Sequence, residues 1–354
     1  MSESDEKFVS VYDAFGVESP VANTREIPLK KLVPVGNHTK IQPDPAFVFS
    51  YPELRRALTN IARRQPIWVW GESGCGKTEY FRQIAARIQR PLHIISCGEE
   101  MSVRELLGTF ELVGENPSES EQDNEDAGSK NPLRAMASAM AAMAKRGLGM
   151  KTRFRYGLLP QAIRTPGALV MFDEFNMAPP SVAAQLNRLL ETGELFIPET
   201  GERIKAADHV VFIATANTNG GADSSGIYAG SQVQNGATRT RFTGLKMSYL
   251  KPEQEVEILR RNYPSLDNAV QLPESTQTIT EVMVETANSL RVLVSEGEVS
   301  LPFSVRQLKN WGQGILLYRD VVTAFKDAYY DMLDPEEATP VAEVFHKHFG
   351  KDVE

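Results

Sequence analysis

Cysteine is scarce in this sequence of 354 residues, which contains only Cys75 and Cys97. Two cysteines cannot build the disulfide framework of a small secreted domain, and such scarcity is typical of a reducing compartment. No apolar run approaches the ~20 residues of a membrane span, and the N-terminal segment is acidic and polar. We therefore predict a cytoplasmic protein without a membrane partner.

Positive charge is also in deficit, since the formal net charge is −8. The chain lacks the overall basic field that holds proteins on nucleic acid, so a nucleic-acid partner is less expected. The hydrophobic content of 42% is ordinary for a globular chain. Its length suffices for one large α/β domain and a smaller second domain.

Residues 71–78 form the pattern G-x-x-x-x-G-K-T of a phosphate-binding loop. The pattern follows an apolar run at 67–70 and precedes a stretch whose apolar residues have helical spacing. A loop in this context directs backbone N–H groups and a helix N-terminus at a di- or triphosphate. Lys77 is then expected to reach the β and γ phosphates and Thr78 to ligate Mg²⁺. The predicted nucleotide-binding residues are Gly71, Glu72, Ser73, Gly74, Cys75, Gly76, Lys77 and Thr78.

Two alternatives accompany this prediction. A Gly-rich turn with an incidental lysine would give the same letters without a ligand. Cys75, within the loop, is either a small tolerated residue, which we favour, or a redox switch.

Short apolar runs at 67–70, 92–96, 168–172 and 210–214 alternate with helical patterns, which predicts a parallel sheet covered on both faces. From 251 onward the pattern is helical, over 252–262, 276–295, 304–318, 321–333 and 339–348. We therefore divide the chain into a Pro-punctuated N-terminal arm (1–50), an α/β nucleotide-binding domain (51–250) and a helical domain (251–354).

A long insertion separates the second and third predicted strands, at about 100–155. Residues 115–130 are polar and acidic and predict a mobile loop, whereas 133–148 are rich in Ala and Met. Helical spacing of these methionines favours a packed helix face over a partner-binding surface. A basic cluster follows and forms either a solvated face or a contact for a polyanion; it comprises Lys145, Arg146, Lys151, Arg153 and Arg155.

Polar side chains follow the third and fourth predicted strands, at the edge where open α/β sheets place their ligands. Asp173 and Glu174 end the third strand, and Asn217 follows the fourth. Asp173 suits a Mg²⁺ contact and Glu174 suits polarising the water that attacks a γ-phosphate. Asn217 either orients that water or belongs to a strand-terminating turn.

These motifs, with the sequences at 156–159, 173–180 and 198–202, closely resemble the MoxR group of AAA+ ATPases over about 45–315. Residues 9–17 resemble the opening of CobS-type members, the ATPase subunit of aerobic cobaltochelatase. The resemblance implies a P-loop AAA+ fold, which is a three-layer αβα domain with a parallel sheet and a C-terminal helical lid.

The family also implies roles for particular residues. The loop at 71–78 becomes Walker A, Asp173 and Glu174 become Walker B, and Asn217 becomes sensor 1. The insertion matches the helix-2 insert, and residues 195–205 match the pre-sensor-1 hairpin, where Gly201 already predicts a turn.

Three positions depart from the family pattern or leave a choice open. The arginine finger is Arg241, with Arg239 as the second candidate, unless both are ordinary surface cations. Arg306 matches sensor 2, although Val305 replaces the usual proline. Met177 stands where the group commonly has arginine, so a contact made by that arginine is not expected here.

The leading hypothesis is a Mg²⁺-dependent ATPase in a homo-oligomeric ring, expected to be a hexamer, that remodels a partner protein in chaperone-like fashion. A partner with a von Willebrand A domain and assistance to metal insertion into a tetrapyrrole are what the resemblance suggests. The rival is a nucleic-acid-translocating motor, favoured by the basic cluster and opposed by the net charge. A nucleotide-dependent scaffold without turnover is opposed by Glu174. The pair His346 and His348 lacks neighbouring ligands in sequence, so no metal site is expected there.

Overall fold

The computed structural model describes residues 14–17, 39–114, 150–221, 232–270 and 276–353. The predicted loop at 115–130, the predicted helix at 133–148, and the basic residues Lys145 and Arg146 lie outside the described residues. So does most of the CobS-like opening at 9–17.

Nine strands lie within the described residues. They are β1 (Ile67–Trp70), β2 (Leu92–Ser96), β3 (Gly108–Gly114), β4 (Met150–Tyr156), β5 (Leu169–Asp173), β6 (Glu194–Ile197), β7 (Glu202–Lys205), β8 (Val211–Ala216) and β9 (Thr243–Lys246). Five of them form one parallel sheet in the order β2-β5-β8-β1-β9. The sequence therefore predicted the parallel sheet and four of its five strands, β1, β2, β5 and β8.

The α-helices of the described residues surround this sheet or follow it. They are α1 (Tyr51–Ala62), α2 (Lys77–Arg87), α3 (Val103–Leu107), α4 (Leu158–Ile163), α5 (Pro180–Thr192), α6 (Gly236–Arg239), α7 (Pro252–Asn262), α8 (Ile279–Glu296), α9 (Val305–Tyr318), α10 (Val321–Ala328) and α11 (Pro335–Phe349). Single 3₁₀ turns lie at Phe175–Met177, Leu266–Asn268 and Tyr330–Met332.

Alternate residues of each central strand face opposite layers, because successive side chains of a strand point to opposite faces. In β1, Ile67 and Val69 pack with the apolar residues of α1 and α2, whereas Trp68 packs with those of α3, α4 and α5. The same alternation divides β5 and β8 between the two clusters. The sheet is thus the middle of three layers, and both faces are buried, as continuous apolar strands require.

The end of the N-terminal arm lies against α2. The backbone N–H of Asp44 donates to Oε1 of Gln83 (2.8 Å), and Arg87 donates to the carbonyl of Asp44 (2.8 Å). Phe15 contacts Phe49 edge to face at 5.1 Å between ring centroids. The described part of the arm is therefore packed onto the α/β layers.

Two antiparallel two-stranded ribbons accompany the central sheet. Strands β3 and β4 pair from Gly108 opposite Tyr156, and they lie within the segment of about 100–155 that was predicted as an insertion. Strands β6 and β7 pair from Glu194 opposite Lys205, over the segment that the sequence predicted as a hairpin. Tyr156 joins the two ribbons, because its hydroxyl donates to Glu202 at 2.5 Å.

The C-terminal helices enclose a core of their own. Trp311 is fully buried among aromatic rings, and its indole N–H donates to the carbonyl of Val321 at 3.1 Å. The helix predicted at 321–333 ends at Ala328 and continues as a 3₁₀ turn. The helix predicted at 339–348 begins earlier, at Pro335, because proline fits a first helical turn. Along the described ranges, no helix is long and apolar enough to cross a membrane.

Candidate nucleotide site

The phosphate loop joins β1 to α2 and is shaped by three glycines. A Cβ on Gly71 would lie 1.8 Å from the carbonyl oxygen of Met247, and a Cβ on Gly74 would lie 2.1 Å from Cβ of Ser304. Gly76 has φ +90° where it caps the N-terminus of α2. Only glycine permits these approaches and this backbone geometry, so the loop exposes backbone N–H groups at a helix N-terminus.

Lys77 begins α2 and turns back over the loop. Its ammonium Nζ donates to the carbonyls of Gly71 and Glu72, both at 2.9 Å, and to Oδ1 of Asn217 at 3.0 Å. Burial lowers the pKa of Lys77. The predicted Walker A lysine and the predicted sensor 1 amide are therefore in direct contact, although Lys77 begins α2 and Asn217 follows β8.

Thr78 and the acidic pair meet through a chain of hydrogen bonds. The hydroxyl of Thr78 donates to Oδ1 of Asp173 at 2.8 Å, and the hydroxyl of Thr215 donates to the same oxygen at 2.5 Å. The backbone N–H of Glu174 in turn donates to the Thr215 hydroxyl at 3.1 Å. Thr215 thus holds both acids at the carboxyl end of β5.

Thr215, which is buried at 1% exposure, was not predicted as a site residue. Its contact with the acids follows from strand pairing, which the residue pattern does not reveal: Phe172 pairs with Ala214 in the parallel register of β5 and β8, so the next residues of the two strands are neighbours. A hydroxyl beside an acid, at the edge where a parallel sheet places its ligands, is suited to holding that acid in position.

The oxygens of Thr78 and Asp173 fit a magnesium ion bound together with a nucleotide. Both are hard oxygen ligands, and Mg²⁺ is usually held by one or two protein oxygens plus substrate phosphates and water. Their separation of 2.8 Å shows that the two side chains converge on one place.

Glu174 has φ 55°, in the left-handed region, and its side chain is exposed toward the cavity described next. The turn it starts carries Asn176, which is 1% exposed. The backbone N–H of Asn217 donates to Oδ1 of Asn176 at 3.4 Å. Asn176 was not predicted, yet it joins the turn after the acidic pair to the sensor 1 position.

A cavity of about 1250 Å³ opens between the sheet edge and the C-terminal helices. Its walls include the phosphate loop, Asp173, Glu174 and Asn217 on one side and Arg306 on the other. Val48 and Ile258 supply apolar surface beside the loop. The structure thus brings together the predicted loop, both acids, Asn217 and Arg306.

Arg239 and Arg241 lie elsewhere, since neither is among the described residues that line this cavity. Arg241 pairs with Glu191 at 2.8 Å and also donates to the carbonyl of Ala237. Arg239 is exposed, and its side chain packs against Gly220. The structure therefore separates both finger candidates from the site of their own chain.

Both cysteines are buried free thiols. Burial raises the pKa of the Cys75 thiol and raises that of Cys97 to about 12. A protonated, buried thiol reacts slowly, so the geometry favours Cys75 as a loop residue over a redox switch.

The two C-terminal histidines have separate partners: His346 pairs with Asp352 at 2.9 Å, and His348 contacts the Ser289 hydroxyl at 3.0 Å. Nowhere in the described segments do three or more His, Cys, Asp or Glu side chains form a metal-binding group.

A parallel sheet with a phosphate loop after β1, an acidic pair after β5, an amide after β8 and a helical domain over the cavity defines a P-loop ATPase of the AAA+ class. Residues 66–242, half of the chain, match the family model described as AAA domain, dynein-related subfamily, and the chain belongs to this family. The predicted fold class is confirmed.

Several known proteins are similar to this chain. Aerobic cobaltochelatase subunit CobS from Sinorhizobium sp is 26% identical over 309 residues, which are 87% of this chain and 82% of CobS. Protein NorQ from Paracoccus denitrificans is 26% identical over 197 residues, 55% of this chain and only 57% of NorQ. A solved RuvB variant from Thermotoga maritima has a TM-score of 0.45 at 12% identity, covering 82% of this chain and 72% of that one. The resemblance to the MoxR group is confirmed by the sequence relatives.

Proposed function

We propose that this AAA+ ATPase uses Mg²⁺ and works as a ring of identical subunits, expected to be a hexamer, to remodel or activate a partner protein. The single observation that supports the site most strongly is the meeting of its motifs. Lys77 contacts Asn217, and Thr78 contacts Asp173, so residues from three strand ends surround one place.

Within this proposal each side chain has one task. The backbone of the loop and Lys77 hold the phosphates, and Thr78 and Asp173 hold the metal. Magnesium, when bound, would neutralise charge on the phosphates. Glu174 accepts a proton from the attacking water, and Asn217 orients that water or contacts the γ-phosphate. Arg306 contributes a second cation from the helical domain.

Substituting Glu174→Gln tests hydrolysis while preserving side-chain volume. ADP and ATP affinity should stay within about threefold of the parent, whereas turnover should fall by about 100-fold or more, as expected for loss of a general base. Glu296→Gln is the matched control, an exposed acid at the end of α8. Unchanged phosphate release by Glu174→Gln would refute the role of Glu174.

The position of Arg241 supports the proposed ring. It does not line the described cavity of its own chain, so as a finger it would complete the site of a neighbouring copy. There its guanidinium would stabilise charge on the transferring phosphoryl group. Arg239 remains the second candidate at this surface.

Mixing variants tests the shared site directly. Arg241→Ala should bind nucleotide normally but hydrolyse little, because it lacks the finger. Glu174→Gln should also bind nucleotide and hydrolyse little, because it lacks the proton acceptor. Mixing the two inactive proteins should restore part of the turnover, because some interfaces then combine an intact finger with an intact acid. If Arg241→Ala hydrolyses ATP normally, whereas Arg239→Ala loses turnover that mixing with Glu174→Gln restores, the finger is Arg239. Sedimentation as a monomer with ATP would refute the ring.

Assistance to a partner is supported by the name of the relative CobS, a cobaltochelatase subunit. We infer that the client is a protein, with a chelatase-like complex and a module of the von Willebrand A type as candidates. The described chain carries its own ribbons, β3–β4 and β6–β7, as candidate client contacts. Affinity capture with Glu174→Gln in ATP, compared with Lys77→Ala, should enrich a partner only in the ATP-trapped state.

The rival function, translocation on nucleic acid, has one observation in its favour. Arg153 is exposed and the Arg155 side chain is 74% exposed, although Arg155 pairs with Glu111 at 2.9 Å. Hydrolysis should therefore be measured with and without single-stranded DNA at two salt concentrations. Strong, salt-sensitive stimulation would favour the motor over remodelling of a protein.

A further inference from the structure

Arg291, on α8, forms an ion pair inside the helical domain. Its Nη1 lies 2.8 Å from Oε2 of Glu255 on α7, and the two side chains are 9% and 0% exposed. Burial raises the pKa of Glu255, and the charge of Arg291 opposes that shift. Burying both charges is expensive, and a pair of apolar residues would often stabilise a core as well. A purely stabilising role therefore explains this pair poorly.

The guanidinium also has directed contacts outside the pair. Its Nε donates to the carbonyl of Phe303 at 2.9 Å, and Cζ lies 3.9 Å from the ring centroid of Tyr249. Phe303 precedes α9, and Tyr249 belongs to the segment between β9 and α7. A planar guanidinium is suited to hydrogen-bonding in its plane while stacking on an aromatic face.

Both contacted residues lead to the phosphate loop. The Tyr249 hydroxyl donates to the carbonyl of Ser73 at 2.8 Å. Phe303 is followed by Ser304, whose side chain lies so close to Gly74 that a Cβ on that glycine would be 2.1 Å away. Arg291 is thus linked to the loop by two separate routes, one through Tyr249 alone and one through Phe303 and Ser304.

Ser304 also determines where Arg306 lies. It caps α9, because its hydroxyl accepts from the backbone N–H of Arg306 at 3.1 Å, and Gln307 completes the capping box. The helix start that carries Arg306 is therefore fixed by the residue next to the carbonyl that Arg291 holds.

We propose that Arg291, oriented by Glu255, is a positioning residue that fixes the helical domain on the phosphate loop and thereby places Arg306 at the nucleotide. This inference deepens the proposed function and rests on its nucleotide site. The link acts through Tyr249 on one side and through Phe303 and Ser304 on the other. Arg291 itself does not touch the nucleotide.

The mildest test is Tyr249→Phe, which keeps the ring beneath the guanidinium and removes only the hydroxyl that holds the Ser73 carbonyl. Affinity for ADP with Mg²⁺, measured by calorimetry, should fall about three- to tenfold, the effect of one hydrogen bond. Arg291→Lys keeps the charge beside Glu255 but loses the planar contacts. Its kcat/KM for ATP should fall at least about tenfold.

Arg260→Gln is the matched control. Arg260 also bridges elements of the helical domain, pairing with Asp267 at 2.9 Å and Glu281 at 3.1 Å, but its contacts among the described residues stay within that domain. This variant should unfold at a lower urea concentration yet bind ADP within about twofold of the parent. Urea unfolding of all variants separates lost stability from lost positioning.

The outcomes are distinct. Weaker ADP binding by Tyr249→Phe and Arg291→Lys, with Arg260→Gln unaffected, supports the positioning role. Normal ADP binding and turnover by both, accompanied only by lower urea resistance, overturns it and leaves the nucleotide site intact. A parent protein that binds no ADP and hydrolyses no ATP overturns the proposed function together with this inference.

Discussion

Thr215 allows a quantitative test of how the acidic pair is held. Thr215→Val preserves shape and removes one hydroxyl, which donates to Asp173 at 2.5 Å and accepts from the backbone of Glu174 at 3.1 Å. A hydrogen bond to a charged group contributes about 1.5–3 kcal/mol and a neutral one about 1 kcal/mol. Because Asp173 is only half-buried, water would replace part of the lost hydrogen-bond energy, and we expect the free energy of unfolding to fall by about 2 kcal/mol.

Urea unfolding followed by tryptophan fluorescence measures this loss. With a slope of about 2 kcal/mol per molar urea, the midpoint should fall by about 1 M. Turnover should fall roughly 10- to 100-fold, since the Glu174 backbone loses its anchor and small misplacements of a catalytic group are costly. Nucleotide affinity should change less, because Lys77 and the loop remain.

Two companions make this result interpretable. Thr215→Ser restores the hydroxyl and should recover both midpoint and turnover. Thr286→Val removes another fully buried hydroxyl, which donates to the carbonyl of Val282 at 2.8 Å in the helical domain, and should leave turnover intact. A Thr215→Val protein with parental midpoint and turnover would refute the reasoning, as would an equal loss of turnover in Thr286→Val.

Two other predictions concern the phosphate loop. Gly74→Ala should weaken ADP binding at least about tenfold by calorimetry, because its Cβ would displace Ser304 and φ is +73°. Gly76→Ala has φ +90° but no atom within 4 Å of the new Cβ, so it should weaken ADP binding less. Equal losses of affinity would contradict the role of the contact between Gly74 and Ser304. Burial raises the pKa of Cys75, and it raises the pKa of Cys97 to about 12. Iodoacetamide at pH 8 should therefore modify both thiols far more slowly in the folded than in the urea-unfolded protein, as counted by mass spectrometry. Fast modification of folded Cys75 would restore the redox switch.

Much of the α/β domain could be predicted because buried parallel strands are continuous apolar runs between polar ends. The strands at Ile67–Trp70 and Leu92–Ser96 have the predicted bounds. Helix α5 begins at Pro180, because proline fits a first helical turn, and it ends before Gly193, whose φ of 70° suits a helix C-terminus. In these places local chemistry and tertiary packing favour the same conformation.

Other elements depend on contacts between distant segments. Strand β9 was not predicted, because four residues with one buried side chain, Leu245, carry little pattern and their pairing with β1 is decided by the sheet. Thr215 and Asn176 gain their roles from neighbouring strand ends and turns. The roles predicted for Glu174, Asn217, Arg241 and Arg306 stay predictions until variants are measured.

Helix α5 relates the catalytic edge to the surfaces proposed for partners. It starts just after the turn that follows Glu174, and near its end Glu191 holds Arg241 at 2.8 Å. The β6–β7 ribbon follows at once, and its Glu202 is bound by Arg164 at 2.7 Å beside Tyr156 at the base of the other ribbon. Because a helix moves as a rigid element, a shift of α5 would carry the turn after Glu174, the Glu191 carboxylate and the start of β6 together. Under the proposed function, we therefore expect α5 to be the element that couples hydrolysis to a bound client.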